Sequence, residues 1–196
     1  MTYDILPALA LFAFTMMATP GPNNVMLLTS GANFGYRRTF PHMCGIALGL
    51  AVMNSAVGFG LKEVFTTFPI TRVIMTILCL LALLYLAWKI INAGRADDTK
   101  DTTRPMYVYE AMVFQWINPK AWMMSIMAIT IYASSGLWQD IALVTITFAG
   151  LSIPTNSIWV MTGVTIRQWL ENERRLRIFN TVMAILLLAS AYVVVY

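Results

Sequence analysis

The chain has 196 residues, of which 59% are hydrophobic and only 11% charged, with a formal net charge of +4. A soluble domain carries about 25% charged residues, and so few charges could not cover a soluble surface of this size; the mean hydropathy of +0.69 points the same way. A soluble enzyme, a nucleic-acid-binding domain and a disordered tail are therefore excluded, and the composition is that of an integral membrane protein built of helices.

The first apolar stretch runs from Ile5 to about Phe34. No Lys or Arg precedes it, so the basic region of a cleaved leader is missing and it reads as an uncleaved first span. It is too long for one straight helix across a hydrocarbon core of about 30 Å. Ala18 to Asn24 read A-T-P-G-P-N-N. Proline removes a backbone donor and clashes with the preceding turn, so an interruption at Pro20–Pro22 absorbs the excess. A basic pair, Arg37–Arg38, forms the first loop, and His42 sits at the interface beyond it. The second span, Met43 to Leu61, carries G-x-x-x-G at Gly45 and Gly49, as Gly31 and Gly35 do at the end of the first. Such pairs mark close helix packing, or the seam of a homodimer. The third span, Pro69 to Ile91, has Arg72 and Lys89 near its ends, where long basic side chains snorkel.

Asn92 to Arg104 is polar and mixed in charge, the one real linker. It divides the chain into a first repeat at residues 1–91, a cytoplasmic linker at 92–106 and a second repeat at 107–196. The fourth span, Ala111 to Ala133, contains Q-W-I-N-P-K-A from Gln115 to Ala121 and closes on the turn Ser134-Ser135-Gly136. A helix from Pro119 to Ala133 covers only roughly 22 Å, less than the bilayer, so the break before Pro119 lies inside the membrane. The fifth span, Ile141 to Ile166, places Asn156, Trp159 and Gly163 at helical spacing beside Pro154. Arg167 to Asn180 alternates bulky apolar and basic residues and reads as a short surface helix or a solvated connector. The sixth span runs from Ile178 to Tyr196. Trp88, Trp138, Trp169, Tyr107, Tyr109 and Tyr196 fall near span ends, as an aromatic belt does. Cys44 and Cys79 read as buried packing residues, and a single His leaves no metal cluster to assemble. No cofactor is implied.

Ten basic residues fall in loops one, three and five: Arg37 and Arg38, then Lys89, Arg95, Lys100 and Arg104, then Arg167, Arg174, Arg175 and Arg177. The opposite side has Lys62 and Arg72. The positive-inside rule puts the three basic loops in the cytoplasm and both termini outside it. Three spans on each side of the linker force the halves into opposite orientations, the inverted-repeat plan of many transporters.

The two proline breaks occupy corresponding spans. Asn118 suits an N-cap and Pro119 the first helical position; Gly21 with Pro22 fits the same pattern. Each break leaves a half-helix N-terminus whose free amides favour a carboxylate. The half-helices that end there leave carbonyls near Met16–Thr19 and Phe114–Trp116, which suit an ammonium. Irregular backbone in a membrane needs a protein or wet cavity around it. Lys120 is the ionised residue deep inside a span, and such charges face a cavity or a partner. The expected binding set is Thr19, Pro20, Gly21, Pro22, Asn23, Asn24, Gln115, Asn118, Pro119, Lys120 and Asn156. Asn23, Asn24, Asn118, Lys120 and the amides would take the carboxylate; carbonyls, Thr19 and Gln115 would take the amine.

P-G-P-N-N at Pro20–Asn24, the basic pair Arg37–Arg38 and N-P-K at Asn118–Lys120 resemble the lysine-exporter (LysE/RhtB) family of amino-acid efflux transporters, and length and span number match along the whole chain. The resemblance implies six helices, export of amino acids or close relatives across the bacterial inner membrane, and drive by the proton gradient. It supplies no coupling residue: Asp4, Glu63, Glu110 and Asp140 all lie at or beyond span edges. An inorganic-cation exporter or channel would need in-membrane carboxylates or a Cys/Met/His cluster. A membrane enzyme would need a nucleophile–base pair or a metal set. The spans carry neither. An accessory subunit that transports nothing would leave the paired breaks without a purpose.

Overall fold

The computed structural model describes residues 2–61, 67–68, 70–92 and 104–189, all helix, turn or connector and without strand. Lys62, Glu63, Arg95, Lys100 and Tyr196 lie outside the described residues, as do the side chains of Asp4, Arg72, Cys79 and Lys89. The helices are α1 (Thr2–Ala18), α2 (Pro22–Ala56, continued by a wider π turn at Val57–Leu61), α3 (Ile70–Ile91), α4 (Val108–Ile117), α5 (Pro119–Tyr132), α6 (Trp138–Ile166) and α7 (Glu173–Ala189).

Large apolar side chains cover the outside, and a set of polar side chains is buried together with the apolar core. Leu11, Phe59, Ile146 and Trp88 are each more than 60% exposed, whereas Asn23, Asn24, Asn54, Gln115, Asn118, Asn156 and Asn180 are buried. Water would penalise that outer surface, and hydrocarbon does not. Among the described residues two helical runs are long and apolar enough to cross a bilayer, residues 22–61, which are interrupted at Gly35, and residues 138–166; the 29 residues of α6 extend roughly 43 Å. Trp88, Trp138, Trp169, Tyr107 and Tyr109 are all exposed near helix ends.

Helix ends follow local sterics. The residue before a proline is pushed to extended backbone, and so are Gly21 (φ −178°, ψ 179°) before Pro22 and Asn118 (φ −93°, ψ 109°) before Pro119. One expectation changes in form: the loop expected at Arg37–Arg38 is a kink at Gly35 (φ 78°, ψ 174°), and the two arginines are helical and exposed. The chain folds back there. Ser30 Oγ and Thr39 Oγ1 share a hydrogen bond of 2.8 Å, a pair that a straight helix would hold about 13 Å apart. Only glycine takes that φ readily, so the turn costs one residue instead of a loop.

The α2 limbs pack along α6 and α4, α1 lies on α6 and α5, and α3 lies on α7. Small residues set these distances. A methyl at Gly163 would stand 2.8 Å from the Ala32 amide nitrogen, one at Gly45 2.6 Å from Ala111 Cβ, and one at Gly49 2.6 Å from Gln115 Cγ. The Gly45–Gly49 pair is thus an internal seam against α4.

Three further expectations are corrected. His42 is not interfacial: it is 1% exposed, and neither ring nitrogen has a hydrogen-bond partner. Cys44 is half-buried rather than buried. Arg167 to Asn180 is neither a separate surface helix nor a solvated connector. After a single 3₁₀ turn at Trp169–Glu171, α7 begins at Glu173, and Leu170, Leu176 and Phe179 bury themselves against Leu28 and Ala32. On the linker side, Arg104 grips Glu110 through two nitrogens at 2.7 and 2.8 Å and stacks 3.6 Å from the Tyr107 ring centre. The bonded carboxylate holds the Arg104 guanidinium above its usual value and also caps the Tyr107 amide at the start of α4.

Candidate functional site

The α1–α2 junction and the α4–α5 junction meet, with Asn23, Asn24, Gln115 and Asn118 buried and Thr19 and Pro20 exposed at the edge. Asn23, one residue into α2, pairs with Gln115 of α4: Asn23 Nδ2 donates to Gln115 Oε1 (2.8 Å), and Gln115 Nε2 donates to Asn23 Oδ1 (3.2 Å) and to Ala111 O (2.8 Å). Both side chains are buried. Lys120, from the first turn of α5, crosses to the end of α1. Its Nζ donates to the Thr19 carbonyl, to Thr19 Oγ1 (2.9 Å) and to the Pro20 carbonyl (3.3 Å). Asn24 braces the same cradle from below, donating to Met17 O (2.9 Å) and Thr19 O (2.6 Å).

The two junctions are chemically unequal. At the second, Asn118 Oδ1 accepts from the Lys120 amide at 3.2 Å, and the Ala121 and Trp122 amides bond to Asn118 O. On the other side of that break, Trp116 O accepts from Trp122 Nε1 at 2.8 Å, with the two indoles in edge contact, and Gln115 O accepts from the Asn118 amide. The second junction therefore caps itself at both ends, contrary to the expectation of free amides and carbonyls there. At the first, no side chain caps the start of α2, so its amides keep the anion-favouring character of an open helix start. The carbonyls ending α1 are not free as expected: Met16 O accepts from Thr19 Oγ1 (2.9 Å) and Met17 O from Asn24 Nδ2, while the Thr19 and Pro20 carbonyls just beyond the helix hold a cation already, the chain's own lysine.

Between the junctions lies a cavity lined by Gly21, Asn23, Asn24, Asn118, Lys120 and Asn156 on its polar side and by Met17, Ile46, Leu50 and Met124 on its apolar side. Its free volume is about 10 Å³, around the room of one water. Six of the expected residues thus line one space. Thr19 and Pro20 stand at its rim through Lys120, Gln115 stands behind Asn23, and Pro22 and Pro119 start the helices that frame it. Asn156 Nδ2 bonds to Ser152 Oγ at 3.0 Å. Trp159 and Gly163 are not in the lining: Gly163 packs on the α2 backbone and Trp159 between two core clusters. The apolar wall escaped sequence reasoning. Its one sequence signal is that Ile46 and Leu50 each follow a glycine of the α4 seam.

Among the described residues Lys120 reaches no carboxylate, and its three N–H donors are matched by three oxygens. Among the described residues no group of three or more His, Cys, Asp or Glu side chains stands together to hold a metal ion.

A family model described as LysE type translocator matches residues 14–196. The chain is similar to cysteine/O-acetylserine efflux proteins. It is 24% identical to that of Escherichia coli O1:K1, with all of both chains covered, and 27% identical to that of Salmonella paratyphi A, again with full coverage. It is 24% identical to the Klebsiella pneumoniae protein over 83% of this chain and 84% of the relative. No solved structure matches it.

Proposed function

The chain belongs to the LysE type translocator family, and from that premise we propose that it exports a small zwitterionic amino acid or close relative from the bacterial cytoplasm. The observation that carries this reading is the meeting of the two helix junctions, Lys120 on Thr19 and Pro20 and Asn23 on Gln115. An amino acid presents a carboxylate and an ammonium a few ångströms apart. The open start of α2 offers amides for the first, and the end of α1 offers carbonyls for the second. Met17, Ile46, Leu50 and Met124 give the side chain an apolar wall. The relatives' names, cysteine/O-acetylserine efflux protein, suggest a substrate of that size.

In this reading the chain forms six spans in two inverted three-helix repeats, residues 1–91 and 107–196, joined by the linker at 92–106. The first span is α1 with the first limb of α2, and the fourth is α4 with α5. The protein sits in the inner membrane with both termini outside the cytoplasm and the basic loops inside. Rocking of one repeat against the other exposes the site to each side in turn, with the proton gradient as the driving force. A free volume of about 10 Å³ supports a site that must widen to load.

The test is Lys120→Ala in reconstituted liposomes. Export should be abolished while membrane insertion and folding stay intact. Export at the wild-type rate would make Lys120 structural and place the site elsewhere.

A further inference from the structure

We propose that the Lys120 ammonium is a tethered competitor for the substrate's own ammonium: the carbonyl cradle at the end of α1 holds one or the other, and loading the substrate releases Lys120. This rests on the reading of the two junctions as an amino-acid site.

The cradle is complete as it stands. A primary ammonium has three N–H donors and no acceptor. Those of Lys120 meet the Thr19 carbonyl, Thr19 Oγ1 at 2.9 Å and the Pro20 carbonyl at 3.3 Å. An amino acid's ammonium has the same charge and the same three donors, so oxygens that satisfy one satisfy the other. Two cations cannot share them. Nor can Lys120 hydrogen-bond a substrate carboxylate while docked, because every N–H is engaged. Among the described residues only dipoles hold the charge: the ion pairs there are Arg104–Glu110 and Arg177–Glu173, neither involving Lys120.

Space points the same way. Thr19 and Pro20 are exposed, so an ammonium can reach the cradle from outside, but between the junctions only about 10 Å³ is free, so a whole substrate seats there where an occupant makes room. Asn23, Asn24 and Asn118 are tied to buried partners or to helix ends. The Lys120 tail is flexible and lies over Gly21, where a methyl would stand only 2.7 Å from Cδ. Withdrawal of that tail opens the cavity between the junctions. The released ammonium then meets the substrate carboxylate, so an amino acid repays the displacement and a plain amine does not. Carboxylate and amine must both be present for loading, which selects zwitterions over the cationic amines of the cytoplasm.

The experiment is calorimetric titration of ethylammonium into the purified, detergent-solubilised protein. Wild type should bind it weakly. Lys120→Met should bind it at least tenfold more tightly, and Lys120→Gln is the second variant should the first not fold. Lys120→Arg, which keeps a cation in the cradle, should show no gain. A folded Lys120→Met or Lys120→Gln that binds ethylammonium no more tightly than wild type overturns the proposal. So does an equal gain in Lys120→Arg. The transport reading fails separately: wild type that moves no amino acid in liposomes would refute export and leave the ethylammonium gain as it is.

Discussion

Gly21→Ala should unseat Lys120 without disturbing the backbone. Gly21 is extended, a conformation alanine adopts without strain, so the added methyl acts only through space. It would stand 2.7 Å from Lys120 Cδ, 3.2 Å from Nζ and 3.5 Å from Cε. Non-bonded carbons settle at about 3.5–4.0 Å, so Cδ must retreat by about 1 Å. The flexible tail is what yields. Its bond to the Pro20 carbonyl, already 3.3 Å, does not survive such a shift. A hydrogen bond to a charged group contributes about 1.5–3 kcal/mol, and about 1.4 kcal/mol is tenfold in an equilibrium. The undocked share of Lys120 should therefore rise at least about tenfold. The assay is the rate at which a water-soluble amine-reactive ester acylates Lys120, read by mass spectrometry of its peptide against the other lysines. Faster labelling at an unchanged melting temperature is expected. An unchanged rate in a folded variant would show that the ammonium keeps its partners, and the displacement argument would be wrong.

Gly163→Ala should lower thermal stability, because its methyl would meet the Ala32 amide nitrogen at 2.8 Å and the Leu28 carbonyl still closer; overpacking of this kind costs about 1–3 kcal/mol. Gly150→Ala on the same helix meets nothing within 4 Å and should raise stability by about 1 kcal/mol. Equal melting temperatures for the two would contradict the close approach of α2 and α6. Asn24→Leu removes the donor to Met17 O and Thr19 O and should cost about 1–3 kcal/mol, with export falling alongside; a stable, fully active variant would show that the cradle needs no brace. In a background with Cys44→Ala and Cys79→Ala, an impermeant thiol reagent should label Ser135→Cys in intact cells and Asn172→Cys only after permeabilisation. The reverse pattern would invert the proposed orientation.

What could be read from the sequence was set by local sterics. Pro22 and Pro119 forbid the hydrogen bonds a continuing helix needs, so the ends of α1 and α4 follow from single residues. The identity of the cavity-lining Gly21, Asn23, Asn24, Asn118, Lys120 and Asn156 was likewise legible, because polar groups in a lipid-facing sequence have few places to go. Their partners were not. Lys120 meets Thr19, a residue 101 positions away, and no spacing rule connects the two. The self-capping of the second junction by Trp122 depends on an indole reaching back to Trp116 O, so two breaks similar in sequence differ in chemistry. His42 looked interfacial because it precedes an apolar run. The Gly35 kink tightens the first turn, and His42 ends up inside the bundle. The burial of Leu176 and Phe179 required the groove made by Leu28 and Ala32 from a distant helix.

The most direct test of export is movement itself. The purified protein, reconstituted into liposomes and shown to be folded and inserted, would be given a panel of labelled amino acids including L-cysteine and O-acetylserine, with and without a pH gradient. Saturable, gradient-accelerated movement of one or a few small zwitterions is the predicted result. No movement of any panel member would contradict the account.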